Sequence, residues 1–389
     1  MFQLNVVRSS LQSELSQFFS ILDQDTELLT WGVWKSSYCE ARKKFSASAF
    51  VELNQLLTHE FYQNIDYRQW RGHRLLAVDS SIIKLPAKQV TEDAFGKVNK
   101  VAKDPSARLS TLYDPLNNIT LDLKVTPCSI GERSLAHQHL KHARQGDIII
   151  YDRGYPAAWL MALHQEAKID YCFRAPWSYC PETRAFWQSE DKERTVTLKI
   201  STLSSARLDE LGVTNQKITV RLVRVDLPES EESEVLITSL IDYDDYPYDE
   251  FAWLYHQRWA IEESYKSLKS QFEIENFTGY SQLAIEQDIQ AKSLSKNIIA
   301  VIASQVQVVI KSTVQQKVSK RNYKINFAAG LRDMKNNMVR LFISNTPNLL
   351  IKRLLLRMIK NRQPVRPGRK FSRVERRALL KYPMRYKRC

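Results

Sequence analysis

The chain of 389 residues is 43% apolar, enough for two or three domains with full cores, and its 57 Lys/Arg against 43 Asp/Glu give a net charge of +14. Its five cysteines, Cys39, Cys128, Cys172, Cys180 and Cys389, include no C-x-x-C pair, which argues against a disulfide framework or a zinc site and leaves them as reduced thiols. No Gly-rich phosphate loop is present, so ATP is not implied.

Residues 1–70 read as helical, with Leu11 to Leu22 and Ala47 to Tyr62 showing helical apolar spacing and Ser46 placed to cap the second stretch. No clear helix-turn-helix is visible. The opening Met-Phe-Gln-Leu-Asn has neither a charged n-region nor an apolar h-region, so no secretory signal is expected and the cytoplasm is the expected location.

Arg74 to Leu85 reads as a strand, Leu109 to Tyr113 and Ile119 to Val125 as a hairpin around Pro115-Leu116-Asn117-Asn118, and Ser134 to Arg144 as a helix. Asp147 to Tyr151 is a short buried strand, Ala157 to Glu166 a helix, and Ile169 to Phe173 a further strand. Strands interleaved with helices predict an α/β sheet with its site at strand ends. Two acids stand at such ends: Asp79 follows Leu75-Leu76-Ala77-Val78, and Asp152 follows Ile148-Ile149-Ile150-Tyr151. An Asp closing an apolar run is costly to bury unless it is paired, hydrogen-bonded or bound to a metal. For Asp152, Arg153-Gly154-Tyr155-Pro156 also reads as a simple turn; for Asp79 that reading is weaker, because Ile82-Ile83-Lys84-Leu85 continues the strand pattern. His137, His139 and His142 share a predicted helix with no acidic cluster beside them and read as surface or packing residues.

Asp152 and Glu262 are 110 positions apart, more than one helix-strand-helix passage needs. The β-rich stretches Thr195 to Ile200, Ile218 to Val225 and Glu234 to Leu240, with an acidic turn from Pro228 to Glu234, place a β insertion at residues 175–246. Beyond it, Tyr255, Arg258, Glu262, Lys266 and Lys269 stand three or four residues apart, so on a helix all five project from one side. Leu254, Ile261, Tyr265, Leu268 and Phe272 form the adjacent apolar stripe. Alone, the polar stripe is an ordinary solvated face with i,i+4 pairs. Together with the two strand-end acids it is a carboxylate held among cations. Three carboxylates suit hard divalent ions, and two such ions about 3.5–4 Å apart can activate water on one side of a phosphate while stabilising the leaving oxygen on the other. Arg258 could then hold a phosphate with its planar fork, with Lys266 and Lys269 as point charges.

Residues 285–311 form a long helical pattern whose most apolar part, Ile298 to Ile310, is interrupted by Ser304, Gln305 and Gln307 and flanked by Lys296 and Lys311. It is too short and polar to span a membrane and reads as core or a dimer face. From Lys352 to Cys389 fifteen Lys/Arg face one acid, Glu375, so the whole net charge lies in this tail and the preceding 351 residues balance. Broken by Pro364, Pro367 and Gly368 and interleaved with Phe371, Tyr382 and Tyr386, the tail could neutralise nucleic-acid phosphates, bind an anionic membrane surface or act as a solubilising end. The acids' own demand for phosphates favours DNA.

At these residues the chain resembles the DDE transposases. Asp79, Asp152 and Glu262 look like their acidic triad, and Tyr255-x2-Arg258-x3-Glu262-x6-Lys269 matches the Tyr-Arg-Glu-Lys signature of one large group of bacterial insertion-sequence transposases. Val78-Asp79-Ser80-Ser81, Tyr151-Asp152-Arg153-Gly154-Tyr155 and Gly131-Glu132-Arg133 agree as flanks, and the likeness covers Leu75 to Gly279 well. It implies an α/β, RNase H-like catalytic core with a β-rich insertion and flanking helical regions. The corresponding division is an N-terminal helical region at 1–70 for binding element ends, core parts at 71–174 and 247–311, the insertion at 175–246, and a C-terminal helical region with the basic tail at 312–389. It implies catalytic and metal-ligating roles for Asp79, Asp152 and Glu262, with Mg²⁺ as the ion and Mn²⁺ as its substitute, and DNA contacts from Tyr255, Arg258, Lys266 and Lys269. The activity implied is cut-and-paste transposition, in which a homodimer in a paired-end complex joins terminal inverted repeats of double-stranded DNA to target DNA, with no membrane partner. The insertion would sit over the site, where Trp177, Tyr179 and Trp187 either stack on displaced bases or pack the insertion's own core. A metal-dependent nuclease that cuts without joining and an inactive DNA-binding relic or repressor are the alternatives.

Overall fold

The computed structural model describes residues 1–5, 10–26, 32–213, 217–226, 233–316, 323–324, 326–335 and 337–364. Residues 228–232 of the expected acidic turn and the tail beyond residue 364, with Phe371, Tyr382 and Tyr386, lie outside them. In chain order the elements begin with α1 (Leu11–Thr26), α2 (Lys35–Arg42), α3 (Ser48–Asn64), β1 (Leu75–Lys84), α4 (Gln89–Phe95), β2 (Ser106–Asp114) and β3 (Ile119–Pro127). There follow α5 (Glu132–His139), β4 (Ile148–Tyr151), α6 (Ala158–Ala167), β5 (Asp170–Ala175), α7 (Pro181–Trp187), β6 (Glu193–Leu198), α8 (Thr202–Leu211), β7 (Ile218–Val225) and β8 (Glu234–Thr238). The chain closes with α9 (Phe251–His256), α10 (Trp259–Ser270), α11 (Gln282–Gln316), α12 (Phe327–Lys335), α13 (Met338–Ile343) and α14 (Pro347–Lys360). These divide into two compact units, one of residues 65–82 and 107–265, the other of residues 1–64, 83–106 and 266–389.

The first unit is built on one sheet, in the order β3-β2-β1-β4-β5-β8-β7-β6. β2 and β3 form an antiparallel hairpin, closed where the Asp114 carboxylate accepts from the backbone N–H groups of Leu116 and Asn117 at 2.9 Å. β1 pairs parallel with β4, and β4 parallel with β5. This is a mixed sheet of the α/β class that the resemblance implies. The apolar runs Leu75 to Val78 and Ile148 to Tyr151 are fully buried, as unalternating strands in a sheet covered on both faces must be. On one face, Leu75, Ile148, Ile150 and Cys172 pack with Phe251, Leu254 and Tyr255 of α9. β6, β7 and β8 follow one another antiparallel and join the sheet through β5, so the strands of the 175–246 segment extend the core sheet and do not build a separate one.

Two local expectations change. The helix expected from Ser134 to Arg144 ends at His139 and continues only as a 3₁₀ turn, Leu140–His142. The histidines do have an acid beside them: Asp122, on the neighbouring strand β3, accepts from His139 Nδ1 at 2.8 Å, while Ser110 Oγ lies 2.9 Å from His139 Nε2. The partner is invisible to local reading because it lies 17 residues away, on the preceding strand. Ser110, Asp122 and His139 are all buried, so this chain of polar groups is closed to substrate and ties β2 and β3 to α5.

In the second unit α11 packs on α3 and α14, and α1 on α13, around Phe2, Leu11, Leu15, Phe18 and Val339. The buried side of α11 is partly polar, and its groups are paired. Arg42 Nε donates to Gln287 at 2.8 Å and its Nη2 meets Asp288 at 3.1 Å, while Asn297 donates to Asn54 at 2.7 Å. Such a helix belongs in a protein core; among the described residues no helix is long and apolar enough to cross a membrane.

Candidate active site

Sheet register sets three charged residues in a row. β1 and β4 align Val78 with Tyr151, and β4 and β5 align Tyr151 with Phe173. One step further along each strand stand Asp79, Asp152 and Arg174, on neighbouring parallel strands roughly 4.8 Å apart. Each follows an apolar run that anchors the strand; Asp79 lies midway along β1, which continues to Lys84, Asp152 directly follows β4, and Arg174 is the last residue but one of β5.

Glu262 comes from the first turn of α10, where a carboxylate also meets the positive end of the helix dipole. Arg258, only 3% exposed, links it to the row: Nη2 donates to Glu262 Oε1 at 3.0 Å, and Nη1 lies 4.0 Å from Asp79 Oδ2. Asp152 has different partners. The Tyr255 hydroxyl donates to its Oδ1 at 3.3 Å, and Arg174 Nη1 stands 3.7 Å from the same oxygen while also gripping Glu234. Burial pushes the Asp79 carboxyl up to about 6, and the negative charges of Asp152 and Glu262 add to the rise; the Ser80 N–H at 2.8 Å and the Arg258 guanidinium oppose it.

Supporting contacts fix these positions. The Tyr265 hydroxyl lies 2.9 Å from the Asp79 carbonyl oxygen, 3.1 Å from that of Leu109 and 2.9 Å from Thr111 Oγ1, which locks α10 onto β1 and β2. Glu132, first residue of α5, accepts from Ser80 Oγ and from Arg108, and Arg133 Nε donates to the Gly154 carbonyl at 3.0 Å. Glu132 and Arg133 thus hold the β1 residue that follows Asp79 and the loop that follows Asp152.

The signature segment is not one continuous helix. α9 stops at His256 and α10 starts at Trp259; between them Arg258, Ala260 and Ile261 donate to the carbonyls of Tyr255, Gln257 and Arg258. These are i to i−3 bonds, a tighter 3₁₀ winding that rotates successive side chains by more than an α-helix does. The expected single polar stripe is consequently split. Tyr255, 1% exposed, turns its ring into the sheet core and only its hydroxyl to Asp152, and Arg258 is buried among the acids. Lys266 is exposed and Lys269 half-buried, one and two turns beyond Glu262 on α10; burial pulls the Lys269 ammonium below its usual range, against the pull of Glu275.

Among the described residues no group of three His, Cys, Asp or Glu side chains is gathered closely enough to hold a metal ion. In this arrangement Asp79 and Glu262 face Arg258, and Asp152 faces Tyr255 and Arg174. The donor chemistry nevertheless fits a hard divalent cation: the available ligand atoms are carboxylate oxygens, and the buried Arg258 Nε has no hydrogen-bond partner, so the guanidinium is only partly engaged. Trp177 is exposed, with Arg184 over its ring at 5.4 Å, and Trp187 is half-buried beneath Arg224 at 5.9 Å.

Sequence reading did not single out Arg174, Tyr265 or the role of Glu132. Arg174 had a usable signal, since Tyr171-Cys172-Phe173 precedes it as apolar runs precede Asp79 and Asp152. Tyr265 lay in the apolar stripe, where nothing local distinguishes a tyrosine that packs from one that also hydrogen-bonds three groups.

Residues 70–298 match the family model described as a transposase DDE domain. Over 271 residues the chain is 21% identical to the transposase InsG for insertion sequence element IS4 of Escherichia coli (strain K12). That alignment covers 68% of this chain and 60% of the relative, so the chain spans less than two thirds of the relative's length. Among solved structures it is similar to a cryo-EM structure of the piggyBac transposase synaptic complex with hairpin DNA, at 11% identity and a TM-score of 0.42, over 85% of this chain and 65% of that one.

Proposed function

Because the chain belongs to the transposase DDE domain family, we propose that it moves an insertion sequence by cut-and-paste transposition, with Asp79, Asp152 and Glu262 as the carboxylates of its reaction centre. The observation that carries this reading is that Asp79 of β1 and Glu262 of the first turn of α10 flank Arg258, while the parallel register of β1 and β4 sets Asp152 beside Asp79. Family members depend on divalent metal; here the three carboxylates would hold Mg²⁺, with Mn²⁺ as a substitute. Bound there, the ions would supply Lewis acidity to the attacking and departing oxygens.

The remaining work falls to the protein's own side chains. Tyr255 and Arg174 keep Asp152 oriented, and Arg258 lowers the mutual repulsion of Asp79 and Glu262. Lys266 and Lys269 add point charges for the DNA backbone. Water displaces one strand at the element end and releases a 3′-hydroxyl. That hydroxyl then attacks a target phosphodiester, with the displaced strand's oxygen as leaving group, so no covalent protein–DNA intermediate forms. The DNA partners are the terminal inverted repeats and the target, engaged by a homodimer in a paired-end complex in the cytoplasm.

Incubation of the purified chain with its element's ends, target DNA and Mg²⁺, followed by mapping of the products, tests this. Joined element–target strands are the expected result. Cleaved but unjoined ends would reduce the protein to a nuclease, and bound but intact ends to a DNA-binding relic.

A further inference from the structure

We propose a second phosphate-binding site, remote in sequence from the three carboxylates, in a cavity between α13 and α14 that takes the backbone of duplex DNA. The cavity measures about 450 Å³ and its wall includes Arg340, Arg353 and Arg357, with the polar side chains of Asn337, Asn345 and Thr346 beside them. Among the described residues no Asp or Glu lines it. Arg353 and Arg357 are exposed, stand one helical turn apart on α14 and, among the described residues, have no ion-pair partner. Lys360 follows on the same face, again exposed.

Several features point to a polyanion as occupant. Two guanidinium forks one turn apart present paired donors at a spacing suited to oxygens of one phosphodiester or of two neighbouring ones. Asn and Thr side chains add the neutral donors that commonly accompany arginine on nucleic-acid backbones. Cation density also rises along the chain from here, since residues 361–389 contain eleven further Lys/Arg and one acid. Contacts of this kind to phosphates contribute position and affinity, not sequence choice. The choice of DNA over other polyanions rests on family membership alone and not on the chemistry assigned to the carboxylates.

The test is fluorescence anisotropy of the full chain on a random-sequence DNA duplex across a salt series, in EDTA so that cleavage is silent. For Arg353→Ala/Arg357→Ala the log-log salt slope should become shallower by about 1.8, and low-salt affinity should fall on the order of tenfold, as expected when two phosphates are no longer neutralised. Arg353→Lys/Arg357→Lys should restore most of the slope, because charge is kept. Both positions are exposed, and an unchanged thermal midpoint verifies folding. An unchanged slope overturns the proposal. So does an equal change on replacing the exposed Lys44 and Lys100 by Ala, which would reduce the effect to net charge. Because no metal or catalysis enters the measurement, a failed transposition assay leaves its outcome intact.

Discussion

The sheet unit and the C-terminal helices handle arginine in opposite ways. In the sheet unit Arg74, Arg108, Arg174, Arg221 and Arg258 are each joined to a carboxylate, Asp147, Glu132, Glu234, Glu193 and Glu262 respectively, and their guanidiniums are largely withdrawn from water. On α14, Arg353 and Arg357 face solvent and a cavity without an acid among the described residues. Withdrawn pairs gain little net stability, since desolvation offsets their attraction, but each fixes one side-chain position. Solvated arginines fix nothing and keep their charge available to a polyanion. Net charge conceals this difference, because the first 351 residues balance while doing the structural work of both signs.

The sharpest way to break the contrast is to remove the acids of the proposed reaction centre. Asp79→Asn, Asp152→Asn and Glu262→Gln should each lower strand cleavage by about a thousandfold or more, while binding of element ends stays near wild type. Each keeps the side chain's shape and removes an anionic ligand. Near wild-type cleavage by any one of them would take that residue out of the triad. Arg258→Ala should cost less, about a hundredfold, because it removes a neutralising cation and not a ligand; Arg258→Lys should recover only part, since a point charge cannot span Asp79 and Glu262 together. If Lys266→Ala lost as much as Arg258→Ala, the special position of Arg258 would be wrong.

Next in size comes a pair distant from the chemistry. Arg74 and Asp147, at 6% and 1% side-chain exposure, join the start of β1 to the start of β4. Arg74→Ala removes the two-pronged partner of a buried carboxylate, which among the described residues keeps only the Arg144 backbone N–H at 2.8 Å and the Arg144 guanidinium at 3.6 Å, and should destabilise folding by about 3 kcal/mol, measured by urea unfolding. Arg353→Ala, by contrast, should fall within about 0.5 kcal/mol of wild type. Equal costs would erase the distinction between withdrawn and solvated arginine.

A smaller effect should appear at low pH. Burial alone would raise the Asp122 carboxyl, but the hydrogen bond and positive charge of His139, with His142 and Lys124 behind them, outweigh it and hold the group at about 2. A depressed acid stabilises the fold above its unfolded value of 3.8, and that contribution disappears as pH falls from there to about 2. It amounts to roughly 2 kcal/mol. In acid unfolding followed by circular dichroism, Asp122→Asn should lose that much less stability across this window than wild type; parallel curves would show that the pair contributes no pH dependence.

What was legible in the sequence followed the reach of each signal. Strands β1 to β5 announce themselves through unbroken apolar runs and turn residues, and the acids Asp79 and Asp152 stand out because they end such runs. Parallel register, which places Asp79, Asp152 and Arg174 side by side, is a property of three strands at once and is not written in any one of them. The signature spacing survived while its expected geometry did not: a uniform 3.6-residue period cannot foresee that the chain tightens between His256 and Trp259, turning Tyr255 inward and burying Arg258. His139 is the packing residue its sequence setting suggests, but its partner Asp122 was not foreseen, being supplied by another strand.

The tail gives the gentlest perturbation, and it tests whether solvated cations are functionally separate from withdrawn ones. Deleting residues 364–389 removes ten of the fifteen Lys/Arg counted from Lys352 onward while leaving every described element of the sheet unit untouched. Folding and metal-dependent nicking at raised protein concentration should persist, because no described contact of the three carboxylates involves those residues. Non-specific DNA binding should weaken, with the salt slope shallower by about 0.9 for each phosphate that the tail no longer neutralises. Combining the deletion with Arg353→Ala/Arg357→Ala then separates two arrangements. If tail and cavity engage different phosphates, the two slope changes add; if they serve the same stretch of backbone, the combined change is smaller than their sum. An unchanged slope for the deletion alone would mean that the tail does not meet DNA, leaving an anionic membrane surface or solubility as its use.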